Sequence, residues 1–99
     1  MKKQTVIDQI EIKRDGLIML RLAKQIVDND GTILSTEWHR TSIPPGADID
    51  SQMESVNNHL ISIYRAPVES TELLTLKAIQ PIVQTKDKIN AYKALVEKA

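Results

Sequence analysis

Lys13-Arg14-Asp15-Gly16-Leu17 and Asp28-Asn29-Asp30-Gly31-Thr32 decide how this chain folds. Each is a polar turn closed by glycine and flanked by β-branched and aliphatic residues. A type I turn followed by one left-handed residue makes a three-residue hairpin loop, and glycine takes that last position without a Cβ clash. Two such turns write a three-stranded antiparallel meander over residues 1–43. The strands are predicted at 6–13, 17–27 and 32–43.

Loop length fixes register. A two-residue Asp15-Gly16 loop would set Lys13 opposite Ile18 and Glu11 opposite Leu20, mixing charge with aliphatics on both faces. A three-residue Arg14-Asp15-Gly16 loop pairs Ile12 with Ile18 and Ile10 with Leu20, which gathers the aliphatics on one face. The three-residue loop is therefore expected, because a one-residue slip moves every side chain to the other face. The same rule at Asn29-Asp30-Gly31 places Ile26 opposite Leu34 and Leu22 opposite Trp38. One face then holds Ile10, Ile12, Ile18, Leu20, Leu22, Ile26, Leu34 and Trp38 as core. The other holds Gln9, Glu11, Met19, Arg21, Ala23, Gln25, Glu37, His39 and Thr41, with Met19, Ala23, Val27 and Ile33 interrupting its polarity. Arg40 shares the parity of Trp38 and is expected to snorkel outward at the sheet end.

Pro44-Pro45-Gly46 ends the sheet, since proline removes ladder donors and restricts the residue before it. Asp48 or Asp50 is placed to cap a helix. Ile49, Met53, Val56, Leu60 and Ile63 recur at spacings of three and four, an amphipathic stripe that ends near Arg65, before Ala66-Pro67. A second helix starts at a Ser70 or Thr71 cap, carries Leu73, Leu74, Leu76, Lys77 and Ile79, and is expected to break at Pro81. Thr85 caps a last helix with Ile89, Tyr92, Leu95 and Val96 on one stripe. The class is α+β: a β-meander (1–43) followed by a helical half (44–99) of two or three helices packed on one sheet face, in a single domain.

Composition bounds function. The chain has 99 residues, and its only aromatics are Trp38, Tyr64 and Tyr92, so the core must be aliphatic. Thirteen basic residues balance 13 acidic ones, which argues against a free-standing nucleic-acid binder. Cysteine is absent, which excludes disulfides, thiolate metal sites and thiol catalysis. Met1-Lys2-Lys3-Gln4-Thr5 is basic, but no apolar signal segment follows it, and no run is long enough to span a bilayer. Folding in a cytoplasm is expected.

Sites of chemistry are hard to find in the residues. Asp28-Asn29-Asp30-Gly31 resembles the start of a calcium loop, but the positions that need Gly and Glu are Ile33 and His39, so a hairpin turn is the reading. His39 and His59 are not at metal-ligand spacing. Asp48 and Asp50 read as capping residues before they read as a carboxylate pair. Gly16, Gly31 and Gly46 all sit in turns, leaving none for a phosphate loop. No catalytic residue, metal, cofactor or small-molecule substrate is expected. Trp38-His39-Arg40 is the densest cluster of recognition-type side chains, although the register assigns Trp38 to the core.

Three segments together carry a resemblance: the β-meander, then Glu37-Trp38-His39-Arg40-Thr41-Ser42-Ile43-Pro44-Pro45-Gly46-Ala47-Asp48-Ile49-Asp50, then Gln84-Thr85-Lys86-Asp87-Lys88-Ile89-Asn90-Ala91-Tyr92. The order resembles a group of small uncharacterised proteins encoded among the structural genes of tailed bacteriophages. Those proteins often carry a Pro-Glu pair where Lys86-Asp87-Lys88 stands here. The resemblance implies a non-catalytic virion protein of the tail, baseplate or fibre region. Its partners would be other phage structural proteins and further copies of itself, with no nucleic acid and no membrane. In that reading Met19, Arg21, Ala23, Val27, Ile33, Glu37 and His39 form the contact surface. Gly16, Gly31, Pro45, Gly46, Asp48 and Asp50 shape turns and caps. The alternative is a free intracellular phage factor, an assembly chaperone or an inhibitor of a host protein.

Overall fold

Both glycine turns close as three-residue loops. In the computed structural model, which describes residues 1–98, Gly16 N–H donates to the Lys13 carbonyl at 2.9 Å and Gly31 N–H to the Asp28 carbonyl at 3.1 Å. The two glycines take φ of 95° and 91°, the left-handed region. Asp15 and Asp30 each accept the backbone N–H two residues on, from Leu17 and Thr32. The turns join strands β1 (Lys2–Ile12), β2 (Ile18–Val27) and β3 (Ile33–Ile43) into one antiparallel sheet with β2 in the centre. Helices α1 (Ile49–Ser62), α2 (Ser70–Val83) and α3 (Lys86–Glu97) follow.

Near the first turn the register is the expected one, with Ile12 opposite Ile18 and Ile10 opposite Leu20. Asp8 is then an extra residue in β1, so that Ile7 pairs with Leu22 while Gln9 pairs with Arg21. Without this bulge Asp8 would sit opposite Leu22 and Ile7 would point away from the core. The bulge exchanges them, as an inserted residue must.

A second bulge corrects the predicted pairing of β2 with β3. Val27 pairs with Ile33, but Ile26 pairs with Ser35, leaving Leu34 as the extra residue. Leu22 therefore faces His39 and not Trp38, and Ile26 does not face Leu34. The reason lies at the far end of the strand. Unbulged pairing would drive Arg40 opposite Leu20 and Ser42 opposite Ile18. The bulge puts Thr41 and Ile43 there, and Ile43 becomes fully buried. Burying an unpaired guanidinium costs several kcal/mol, more than the roughly 1.5–3 kcal/mol forgone by leaving one large apolar side chain in water. Trp38 is the side chain left out, 52% exposed.

The helices bury the other face. Ile18, Leu20, Leu22 and Ile43 from the sheet meet Ile49, Met53, Val56 and Leu60 of α1, with Val68 and Leu76 completing the core. Asp48 caps α1 as expected, accepting Ser51 N–H at 3.1 Å and the Ser51 hydroxyl at 2.8 Å. Those two donors hold its carboxyl below the usual range. Asp50 instead pairs with Lys77 across to α2, at 2.7 Å. The second helix differs from expectation at both ends. Glu69 is its N-cap, without a side-chain bond, and Ser70 is already helical. Pro81 does not stop it: the helix runs on to Val83, and Gln84 N–H still reaches the Gln80 carbonyl at 2.8 Å. Thr85 stands at the start of α3 but makes no side-chain cap, and α3 buries none of its residues.

One polar side chain ties the two halves. Gln84, 3% exposed, donates through Nε2 to the Gly16 carbonyl at 2.8 Å and the Ile43 carbonyl at 2.9 Å. Its Oε1 accepts Gly46 N–H and Gln80 Nε2. The first turn, the end of β3 and the Pro-Pro-Gly step are thus held by one amide. Gln84→Leu strands two buried carbonyls and is expected to cost about 2–4 kcal/mol in chemical denaturation; a loss under about 1 kcal/mol would mean that water replaces the clamp. At the end of α1 the exposed Tyr64 holds φ 63°, a conformation unfavourable for a residue with a Cβ. Tyr64→Gly is expected to raise stability by about 0.5–1 kcal/mol in the same assay, and a decrease would show that the tyrosine ring contributes more than the strain costs.

Candidate protein-interaction site

The candidate site is the sheet face without helices. Alternation along β2 puts Met19, Arg21, Ala23, Gln25 and Val27 on it, as expected from the central strand. Ile33 joins them as the partner of Val27. Glu37 and His39 do not. The Leu34 bulge turns both toward the helices, so they are removed from the proposed contact surface. Trp38 and Arg40 take their places on the open face, and Val6 lies across Ala23 from Trp38. Ala23 is fully covered in that row, while Trp38 stays half exposed.

Arg21 organises this face. Its guanidinium lies 4.5 Å from the centre of the Trp38 ring. Nε and Nη2 both donate to one Asp8 carboxylate oxygen, at 2.9 and 2.6 Å. The cation thus touches both an aromatic ring and a carboxylate, which restrains both long side chains at little further entropy cost. The Asp8 bulge makes the arrangement possible, because it sends that carboxylate to the open face. Arg40 stands directly opposite Arg21 and has no ion pair among the described residues. Asp8 and Glu11 on the same face balance the two adjacent cations, but only Asp8 is ion-paired with one of them, Arg21. A recess of about 20 Å³ lies among Gln9, Glu11, Met19, Arg21 and Arg40, room for about one water and no organic ligand. The face is open and shallow, without a ligand-sized pocket at Arg21.

Glu37 and His39 form a different cluster under the helices. Glu37 accepts Arg65 Nη2 at 2.7 Å and stands 3.9 Å from the buried Lys24 ammonium. Arg65 Nη1 is buried with no hydrogen-bond partner. The His39 and His59 rings lie 5.4 Å apart, tilted by 32°. Burial first, then the nearby His59 and Lys24, push His39 below its ordinary value of 6.5. The ring contact links β3 to α1, and its His39 partner resists protonation.

The larger concavities lie elsewhere. One, of about 480 Å³, runs between the Gly46–Asp48 loop and the α2–α3 junction, where the Asp48 carboxylate is already committed to Ser51. Another, of about 270 Å³, lies between Asp15 and Lys88, Ala91, Tyr92 and Leu95 of α3. Among the described residues, no group of three or more His, Cys, Asp or Glu side chains is placed to hold a metal ion, and no helix is long and apolar enough to cross a membrane. Comparison with protein-family models, curated proteins and solved structures finds no match.

Sequence reasoning missed Val6, Asp8 and Trp38 as members of this face. The available signal was the conflict in β3: a register that buries Trp38 also buries Arg40 and excludes Ile43.

The histidine pair gives a pH signature. A folded His39 that takes its proton only below 6.5, against about 6.5 unfolded, contributes stability fully above that value and loses it as pH falls through the lower folded value. The melting temperature of the native chain is therefore expected to fall more steeply between about pH 7 and about pH 5 than that of His39→Gln. Parallel profiles for the two proteins would show that His39 protonates freely in the folded state.

Proposed function

We propose that this chain is a non-catalytic docking module that binds protein through its helix-free sheet face, centred on Trp38 and Arg21. The observation that carries the reading is a tryptophan held half exposed, with an arginine fixed over its ring by a carboxylate. Tryptophan and arginine are the residues most enriched where binding energy concentrates, and preorganised side chains lose little entropy when a partner arrives. The apolar neighbours Met19 and Ile33 extend the face, while Ala23 and Val27 lie buried beneath it. The Arg40 guanidinium, without an ion pair among the described residues, offers a partner one cation at this corner of the face.

The setting proposed from the resemblance is a bacteriophage particle, with other structural proteins of the tail, baseplate or fibre as partners. What supports it is the segment from Glu37 to Asp50. It builds the end of β3, the proline turn and the α1 cap in the order shared with those phage proteins.

Mass spectrometry of purified particles tests both parts. The native chain is expected at stoichiometric copy number. Trp38→Ala should weaken docking by about 2 kcal/mol or more and be depleted from particles. Because the side chain is half exposed, its loss should change folding stability by less than about 1 kcal/mol. Absence of the native chain from particles would favour a free intracellular factor instead. Equal incorporation of the variant would move the docking surface away from Trp38.

A further inference from the structure

The two outer edges of the sheet are treated differently. On β1, Ile7 and Thr5 point their backbone groups outward. Val68 bridges Thr5 there, the Thr5 hydroxyl donates to the Ala66 carbonyl at 2.6 Å, and Glu72 accepts Ile7 N–H at 3.4 Å. Lys2 and Lys3 guard the start of the same strand, and Lys3 Nζ is tied to the Tyr64 carbonyl. Covering an edge and placing lysines on it are the ordinary defences against pairing with another chain.

The β3 edge has neither defence along its middle. The Lys13–Leu17 hydrogen bond sets the alternation through the sheet: Met19 and Arg21 bond to β1, so Leu20, Leu22 and Lys24 bond to Thr41, His39 and Glu37. Thr36, Trp38, Arg40 and Ser42 therefore turn their N–H and C=O groups away from the sheet. Gln52 Nε2 takes the Ser42 carbonyl at 3.0 Å, which confirms the direction. Among the described residues no side chain or backbone group takes those of Thr36, Trp38 or Arg40. Between the Leu34 bulge and Ser42 the strand contains no lysine and no proline.

That stretch is complementary to its own reverse. Read outward from Trp38, Glu37 answers His39, Thr36 answers Arg40, and Ser35 answers Thr41. We propose that β3 pairs antiparallel with β3 of a second copy of this chain, about a two-fold axis at Trp38, joining the two sheets into one. The proposal rests on the reading of the Trp38 face as a contact surface and names its partner. In this register Thr36, Trp38 and Arg40 gain about six backbone hydrogen bonds across the axis. The two tryptophan rings meet on the open face. On the helix face each half-exposed Glu37 carboxylate, already paired with Arg65, stands opposite the partner copy's equivalent of His39, whose neutral ring can donate an N–H to it, giving two hydrogen-bonding pairs related by symmetry. Neighbouring registers lose this match. An axis at Glu37 opposes two carboxylates, an axis at Arg40 opposes two guanidiniums, and an axis at His39 sets each Glu37 opposite the partner copy's equivalent of Thr41, away from the imidazole.

The native chain contains no cysteine, so introduced thiols report without background. Hydrogen-bonded partners across antiparallel strands lie about 5.5 Å apart at Cα, within disulfide reach. Under mild oxidation Trp38→Cys is expected to link to its own copy. Thr36→Cys and Arg40→Cys are each expected to stay unlinked alone and to link when mixed. Sedimentation of the native chain from about 1 to about 100 μM, the span of micromolar affinities, should show a monomer–dimer equilibrium. Trp38→Glu, which sets two carboxylates against each other, should weaken it at least about tenfold. A native chain that stays monomeric across that range overturns the proposal. So does a mixture of the Thr36→Cys and Arg40→Cys variants that links no faster than either alone, a readout that stands even if Trp38→Glu folds poorly. If the native chain is monomeric while Trp38→Ala is still lost from particles, this pairing falls and the docking reading survives.

Discussion

The phase of the two outer strands against β2 is the constraint on which this structure depends, and two single-residue bulges set it. Both hairpin loops have the same length and geometry, so each strand leaves its turn in a register fixed by glycine. Carried on unbroken, those registers would bury Asp8 in β1 and Arg40 in β3 while excluding Ile7 and Ile43. An extra residue at Asp8 and another at Leu34 reverse these outcomes. Each bulge leaves one residue without a ladder partner, a loss of order one hydrogen bond. Each avoids a buried charge, which costs several times more.

The open face is the complement of that choice. Asp8 leaves the core and becomes the carboxylate that holds Arg21. Trp38 leaves the core and becomes the ring on which Arg21 lies. The same two bulges that assemble an aliphatic core therefore assemble the Trp38–Arg21–Asp8 cluster on the other side. On the helix side they bring Glu37 to Arg65 and His39 to His59, where β3 meets the end of α1. Core and candidate site are two consequences of one phase shift, so a change that removed a bulge would alter both faces at once.

Much of the fold was legible because local chemistry dictates it. A left-handed position wants glycine, which marked Gly16 and Gly31, and a helix start wants an acceptor, which marked Asp48. The face assignment of Met19, Arg21, Ala23 and Val27 was legible for a related reason: β2 carries no extra residue, so simple alternation holds along it. Glu37, His39 and Trp38 were misassigned because nothing in Thr32-Ile33-Leu34-Ser35-Thr36 announces a bulge. Its cause lies at Arg40 and Ile43, six to nine residues away, and acts only through burial. Pro81 misled in a similar way. A lone proline forfeits one helical hydrogen bond, but the chain beyond it is held by Gln84, whose partners at Gly16 and Ile43 are distant in sequence.

A sheet of three strands has two edges for one centre, and this chain resolves them unequally. The segment linking α1 to α2 returns along β1 and closes that side with Val68 and Ala66. Among the described residues, the corresponding space beside β3 receives only Gln52, at the very end of the strand. Helix α1 meets this margin through Gln52 and the face of β3 through His59. The open margin runs past Trp38, so the unpaired backbone and the exposed ring belong to the same residue. A partner strand laid along that margin would find hydrogen-bonding groups in its plane and an aromatic surface beside them. This combination gives strand addition both affinity, from the backbone, and selectivity, from the side chains.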